Sequence, residues 1–353
     1  MGAQAATNPR ASAFFEELRE TWQQAADRVG AVERRRYRVA GNELELLFAG
    51  DALVLPLTRA LAHLAAAHGT GEPLTIYAWD STSTQTAMPR PPWGADDYRE
   101  YGKIRGFFDE RVQCVFQWGS RSLVMLDLER DEAVYWVGEA EQIPFFEMAA
   151  PLRLVLQGWL ASRGVELVHA AAVGLGDHCV LLAGKSGAGK SWATLAATAA
   201  GLEMLADDYC LACSGTPIRI ASLYSSAKTH AEALEPLPFL GGMVSNPVRP
   251  GSDKAVFFLH EHAQERLLLE AGLRAILIPR LGADETALRP APAAAGLAAL
   301  APNTVLQLPA AGAGTLQRLA EIAREVPSHF LDLGPDIAAT APAIASLLEP
   351  AAS

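Results

Sequence analysis

The chain has 353 residues, half of them hydrophobic, with four cysteines and a net charge of −11. That length favours two domains over one, and so acidic a chain is a poor candidate for gripping a nucleic-acid backbone. Met1 to Arg10 holds no apolar signal segment and no apolar run reaches bilayer length, so the expectation is a soluble, cytoplasmic protein without a membrane partner.

Met1-Gly2 opens like an acylation site, but Ala6 stands where Ser or Thr is required. Residues 13–29 carry helical periodicity. Tyr37 to Ala40 and Glu43 to Phe48 alternate like two strands, with Gly41-Asn42 as the turn. The basic cluster Arg34-Arg35-Arg36 with Arg38 reads as a solvated helix end or strand edge. Asp51 is placed to cap a helix running to about His68, and Leu74 to Trp79 reads as a strand ending in the polar turn Asp80 to Thr84. The Pro-rich stretch Met88 to Gly94 is a long loop in which Trp93 serves as an aromatic anchor or as a peptide contact. Arg111 to Trp118 and Ser122 to Val137 suggest a meander that turns at Arg130-Asp131, and Pro144 to Ser162 reads as one apolar helix. The expectation is a smaller α+β domain over residues 1–150, followed by an α/β domain over residues 151–353.

In the second region Val165 to Val173 and Cys179 to Ala183 read as strands. Gly184-Lys185-Ser186-Gly187-Ala188-Gly189-Lys190-Ser191 then fits the phosphate loop G-x-x-x-x-G-K-[ST] at every fixed position. A short apolar strand before it and an Ala/Leu-rich helix after it are the context that aims backbone amides and a helix N-terminus at a polyphosphate. Lys190 is placed for the β and γ phosphates, and Ser191 offers a hydroxyl to Mg²⁺. A phosphate-loop enzyme also uses a carboxylate near its metal, at the end of a neighbouring strand. Glu203 to Ala206 is such a strand, and Asp207-Asp208 end it. Two adjacent carboxylates can divide the work, one on the metal or its water shell and one taking a proton, with mutual repulsion raising one pKa. His169 is a lone imidazole in an apolar strand, a setting that usually means a core histidine. Cys210-x-x-Cys213 lies in another apolar strand and reads as core packing, with no second Cys pair or His pair at zinc spacing. Further strands are expected at Ala255 to Leu259, Arg274 to Leu281 and Phe330 to Leu333. Helices are expected at Thr315 to Arg324 and Asp336 to Leu348, and the Ala/Pro-rich Leu288 to Pro302 is left unassigned.

His169, the loop Gly184 to Ser191 and Ala206-Asp207-Asp208 together resemble HPr kinase/phosphorylase, the bacterial P-loop serine kinase family of the HPr kinase type. That resemblance spans roughly residues 165 to 213. It implies ATP and Mg²⁺ as cofactors, His169 beside the transferred phosphate, Lys190 on the phosphates, Ser191 on Mg²⁺ and Asp208 as proton acceptor for the substrate serine. Asp208, His169 and Lys190 are thus the candidate catalytic residues, and Ser191 and Asp207 the candidate metal ligands. Outside that window the pattern departs: the family's second Mg²⁺ motif has only Glu232 and Glu235 as loose counterparts. Pro247-Val248-Arg249-Pro250-Gly251 resembles a later family segment but follows the Asp pair too soon. The family's downstream arginine has no clear counterpart, leaving Lys228, Arg249 and Lys254 as candidates for its charge. Trp192 is bulky for the place after Ser191.

A shortened core behind a different N-terminal domain looks like the HPr-kinase-related proteins of peptide-biosynthesis clusters, such as the lasso-peptide kinases. The resemblance points to a peptide or small-protein acceptor. It also points to an oligomer, against which the shortened segment argues. Beside this serine-kinase reading stand a kinase for a small-molecule hydroxyl and an ATP-binding switch with little turnover.

Overall fold

The computed structural model describes residues 8–67, 71–230, 234–247 and 254–349. Its contacts divide the chain into two compact units, Met1–Arg163 and Gly164–Ser353. The division falls later than residue 150, because the helix before it packs within the first unit. Both units mix helices and strands, and among the described residues no helix is long and apolar enough to cross a membrane.

The first unit opens with α1 (Pro9–Val29). Asn8 caps it by accepting the N–H of Arg10, Pro9 sits where a missing N–H costs nothing, and Gly30 ends it at a φ of 67°. Phe14, Phe15, Leu18, Trp22 and Ala25 recur at helical spacing and form its buried face. Burial of Phe15 or Leu18 contributes roughly 1.5–3 kcal/mol each. This face lies on a sheet built from β1 (Val32–Val39), β2 (Asn42–Ala49), β3 (Leu74–Asp80), β4 (Lys103–Phe108), β5 (Val112–Gln117), β6 (Ser122–Asp127) and β7 (Glu132–Val137). Their order is β1-β2-β3-β7-β6-β5-β4, with β3 parallel to both its neighbours. The arginine cluster lies on the edge strand β1, where Arg36 pairs with Glu45 at 2.7 Å and Arg38 with Glu43 at 2.8 Å. Trp93 packs edge-on against Phe14 and Phe107, each at 5.0 Å, so it anchors its loop.

Two helical expectations in this unit need correction. Residues 51–67 do not form one helix, and His68, its expected end, lies outside the described residues: α2 (Val54–Thr58) passes into a 3-10 segment, Arg59–Leu64, and Asp51 does not cap it. Residues 144–162 break into α4 (Phe145–Met148) and α5 (Arg153–Ala161), because Leu152 adopts a left-handed φ of 57° between them. The short α3 (Ser81–Thr84) is capped by Asp80, whose carboxylate accepts the N–H of Ser83 at 2.8 Å. That bond accounts for the polar turn after β3.

The second unit comprises β8 (Val165–Val168), β9 (Ala171–Leu175), β10 (His178–Leu182), α6 (Lys190–Ala199), β11 (Glu203–Ala206), β12 (Cys210–Cys213), β13 (Arg219–Ser222), β14 (Ser226–Thr229), β15 (Ala255–Phe258) and β16 (Glu270–Leu281). It ends with β17 (Ala287–Ala291), α7 (Ala293–Gln307), α8 (Ala313–Glu325), β18 (Ser328–Leu333) and α9 (Thr340–Ala345). The main sheet runs β11-β9-β10-β16-β13-β12-β8, while β18 joins the later half of β16 and β17 joins β18. The strands β14 and β15 form a separate antiparallel pair.

That order positions the site. In a flat sheet β9 and β8 would lie about 24 Å apart, yet only His169 and Ala170 join them, a link spanning at most about 11 Å. The same distance separates β11 from β12, which only Asp207, Asp208 and Tyr209 connect. The sheet must therefore curl over, and both crossings occur where it does. The expected single strand 165–173 is interrupted for this reason: the N–H of Ala170 bonds back to the Val168 carbonyl at 3.0 Å, a three-residue turn centred on His169. Small side chains, Ala170, Ala172, Ala206 and Ala212, line the inside of the curl with Leu181 and Ile276, against Leu319 and Ile322 of α8. The other face of β9 and β10 buries Val173, Val180 and Leu182 under α6 and α9.

Cys210 and Cys179 are buried core residues and Cys213 is partly buried. Burial pushes the thiol of Cys210 up to about 12 and that of Cys213 up to about 11. Residues 288–302, unassigned from sequence, supply most of β17 and α7, and the expected helix 336–348 shrinks to a 3-10 turn and α9.

Candidate active site

Between β10 and α6 the chain makes the turn expected of a phosphate loop. Gly187 and Gly189 adopt φ values of 79° and 97°, which side-chain-bearing residues rarely tolerate. At Gly189 a Cβ would also stand 3.0 Å from Leu281. Gly189 is the residue before α6, and its carbonyl accepts the first helical bond, from Ala193 at 2.9 Å. Lys190 begins the helix, and its ammonium donates to the carbonyls of Gly184 at 2.7 Å and Lys185 at 3.3 Å. Burial lowers the pKa of Lys190, and the charges of Asp208 and Asp207 oppose that shift.

The two crossings meet beside this loop. His169 Nε2 lies 3.4 Å from Asp208 Oδ1, and its ring rests against Tyr209 at 4.8 Å between centroids. Its backbone N–H donates to Thr304 Oγ1 at 3.1 Å, whereas Nδ1 is buried without a hydrogen-bond partner. The ammonium of Lys228, on β14, forms an ion pair with Asp208 Oδ2. The backbone N–H of Lys228 donates to Asp207 Oδ2 at 2.8 Å, so one residue of the hairpin touches both carboxylates.

The carboxylates differ because their surroundings do. Asp207 is 2% exposed, and burial together with the adjacent Asp208 pushes its pKa up to about 6, against the hydrogen bonds from Lys228 and Ser191. Burial would also raise Asp208, but Lys228 and His169 outweigh it and hold its carboxyl well below the usual carboxylate range. Repulsion between neighbours thus raises Asp207 and not the candidate base.

His169, Asp208, Lys190, Ser191, Lys228 and Lys254 line one cleft of about 310 Å³, with Ser186, Gly187 and Gly189 from the loop. Glu235 is exposed and lies outside this lining. Glu232, Arg249 and residues 248–251 of the Pro-Val-Arg-Pro-Gly segment lie outside the described residues. Three residues in or beside the cleft went unread in the sequence. Asn303 donates to the Gly184 carbonyl at 2.5 Å, Thr304 holds the backbone at His169, and Gln307 lines the cleft. All three sit at the end of α7. Their signal was two adjacent polar residues, Asn303-Thr304, closing an otherwise apolar stretch.

No protein-family model matches the chain, and no curated protein matches it. The solved structures that it resembles include the Hpr(Ser) kinase/phosphatase from Coxiella burnetii, at 9% identity. The match covers 48% of this chain and 85% of that one with a TM-score of 0.26, a weak likeness at the level of the fold alone.

Proposed function

We propose that the second unit is an ATP-dependent kinase that transfers the γ-phosphoryl group to a serine hydroxyl of a peptide or small protein. One observation carries this reading: a carboxylate held ionised, Asp208, shares a cleft with the phosphate-loop lysine, Lys190. A binding module has no need of that carboxylate, whose charge would oppose a phosphate. A transferase needs it where the acceptor hydroxyl arrives.

The residues divide the work. The amides of the Gly184 to Ser191 loop and Lys190 hold the donor's phosphates. Lys228 and His169 keep Asp208 ionised and aimed, and both stand close enough to share the charge that builds on the transferring group. So weak a base takes the proton late, once the bond to phosphorus is largely formed, which suits a loose phosphoryl-transfer transition state.

The same site fits Mg²⁺. Asp207 Oδ1 is buried with no hydrogen-bond partner, and the Ser191 hydroxyl faces the same carboxylate. These are hard oxygen donors, and Mg²⁺ commonly takes one or two carboxylates together with substrate phosphates. When bound, the ion neutralises phosphate charge and relieves the repulsion between Asp207 and Asp208.

Lys190→Met tests the donor half. Loss of a charge-assisted contact to phosphate should weaken ATP binding by about 10- to 100-fold in calorimetry with Mg²⁺. Unchanged affinity would remove the loop from the donor site.

A further inference from the structure

Two large apolar side chains line the cleft, Trp192 and Leu281, and neither takes part in phosphate or proton chemistry. Leu281 ends β16, is 59% exposed, and lies against Gly189, the last glycine of the loop. A Cβ at Gly189 would meet Leu333 at 3.2 Å as well as Leu281. Trp192, two residues after Lys190, is half-buried and packs against the core cluster that contains Leu333. Trp192, Gly189 and Leu281 thus make an apolar rim of the cleft beside the loop, with Leu333 buried beneath it, at the carboxyl end of β16, which runs parallel to β10. Ligands of open α/β sheets bind at the carboxyl ends of strands.

We infer that this rim seats the base of the nucleotide, with Trp192 and Leu281 contacting its ring. The inference rests on the proposed nucleotide site and deepens it. A triphosphate held by Lys190 carries its base on one ribose, so the base must land on the cleft wall next to the loop. The wall around Asp208 is occupied by Lys228 and His169, which interact with that carboxylate. Trp192 and Leu281 offer the flat aromatic and aliphatic surface that a heteroaromatic ring prefers.

The test compares ATP with inorganic tripolyphosphate, each with Mg²⁺, by calorimetry on the full chain. Leu281→Ser changes an exposed side chain and should leave the fold intact; Trp192→Ala is the second variant. Each should weaken ATP by about tenfold while leaving tripolyphosphate within about twofold. Equal weakening of both ligands, or of neither, overturns the base seat. So does wild-type protein that binds tripolyphosphate as tightly as ATP. Wild-type protein that binds neither ligand instead overturns the nucleotide reading, and the seat with it.

Discussion

Asp208→Asn should lower phosphoryl transfer by about 10²- to 10⁴-fold while ATP affinity stays within about threefold. The amide has the size of the carboxylate and keeps its one oxygen for Lys228 or for His169, which contact different oxygens of Asp208, but it cannot accept the acceptor's proton. Affinity survives because the contacts assigned to the phosphates come from Lys190 and the loop backbone. A parallel fall in affinity and rate would mean that Asp208 positions the nucleotide. Single-turnover rates and calorimetry on one preparation separate the two.

Asp207→Asn should do something less intuitive and make the ligand-free protein more stable at pH 8. The folded-state pKa of Asp207 is raised to about 6, from an ordinary value of 3.8. A raised carboxyl contributes stability below its unfolded pKa and loses it as pH rises through the folded value. At pH 8 the ionised, buried side chain therefore costs on the order of 2–3 kcal/mol. Asparagine removes that cost, so the variant's advantage in urea unfolding should be full at pH 8, shrink below about pH 6 and vanish near pH 4. Its transfer activity should be lost as well, since the proposed metal site uses the unpartnered Oδ1. Stability given up at a functional position is a recurrent trade. A variant less stable than wild type at pH 8 would show that Asp207 is a structural ion partner.

Much of this site was legible because it depends on local chemistry. Gly187 and Gly189 need positive φ, Lys190 and Ser191 follow at fixed offsets, and Asp207-Asp208 end a strand, all within one stretch of chain. His169 was less legible. Periodicity reads Val165 to Val173 as one strand, and nothing local signals the turn at His169 that the curl of the sheet enforces; only family resemblance pointed to it. Lys228 surfaced merely as one of several spare cations, because its partners, Asp207 and Asp208, lie on the crossing between β11 and β12 and not on its own strand. Asn303 and Thr304 were missed with α7, whose Ala/Pro composition and internal Pro302 argue locally against a helix that packing nevertheless sustains. In the first unit the body of α1 and the β1–β2 turn were readable, whereas the first turn of α1 with its Asn8 cap, the left-handed Leu152 and the 3-10 segment after α2 were not. Tertiary packing sets the last two features, and no side-chain pattern announces them.

The most direct test follows the γ-phosphoryl group itself. Full-length protein, Mg²⁺ and γ-labelled ATP are incubated with serine-containing peptides and, separately, with a metabolite extract, beside the Asp208→Asn variant. The account predicts label on a peptide serine hydroxyl with the wild type and almost none with the variant. Label on a metabolite would shift the acceptor class. ATP bound with no labelled acceptor in either protein would contradict the kinase reading.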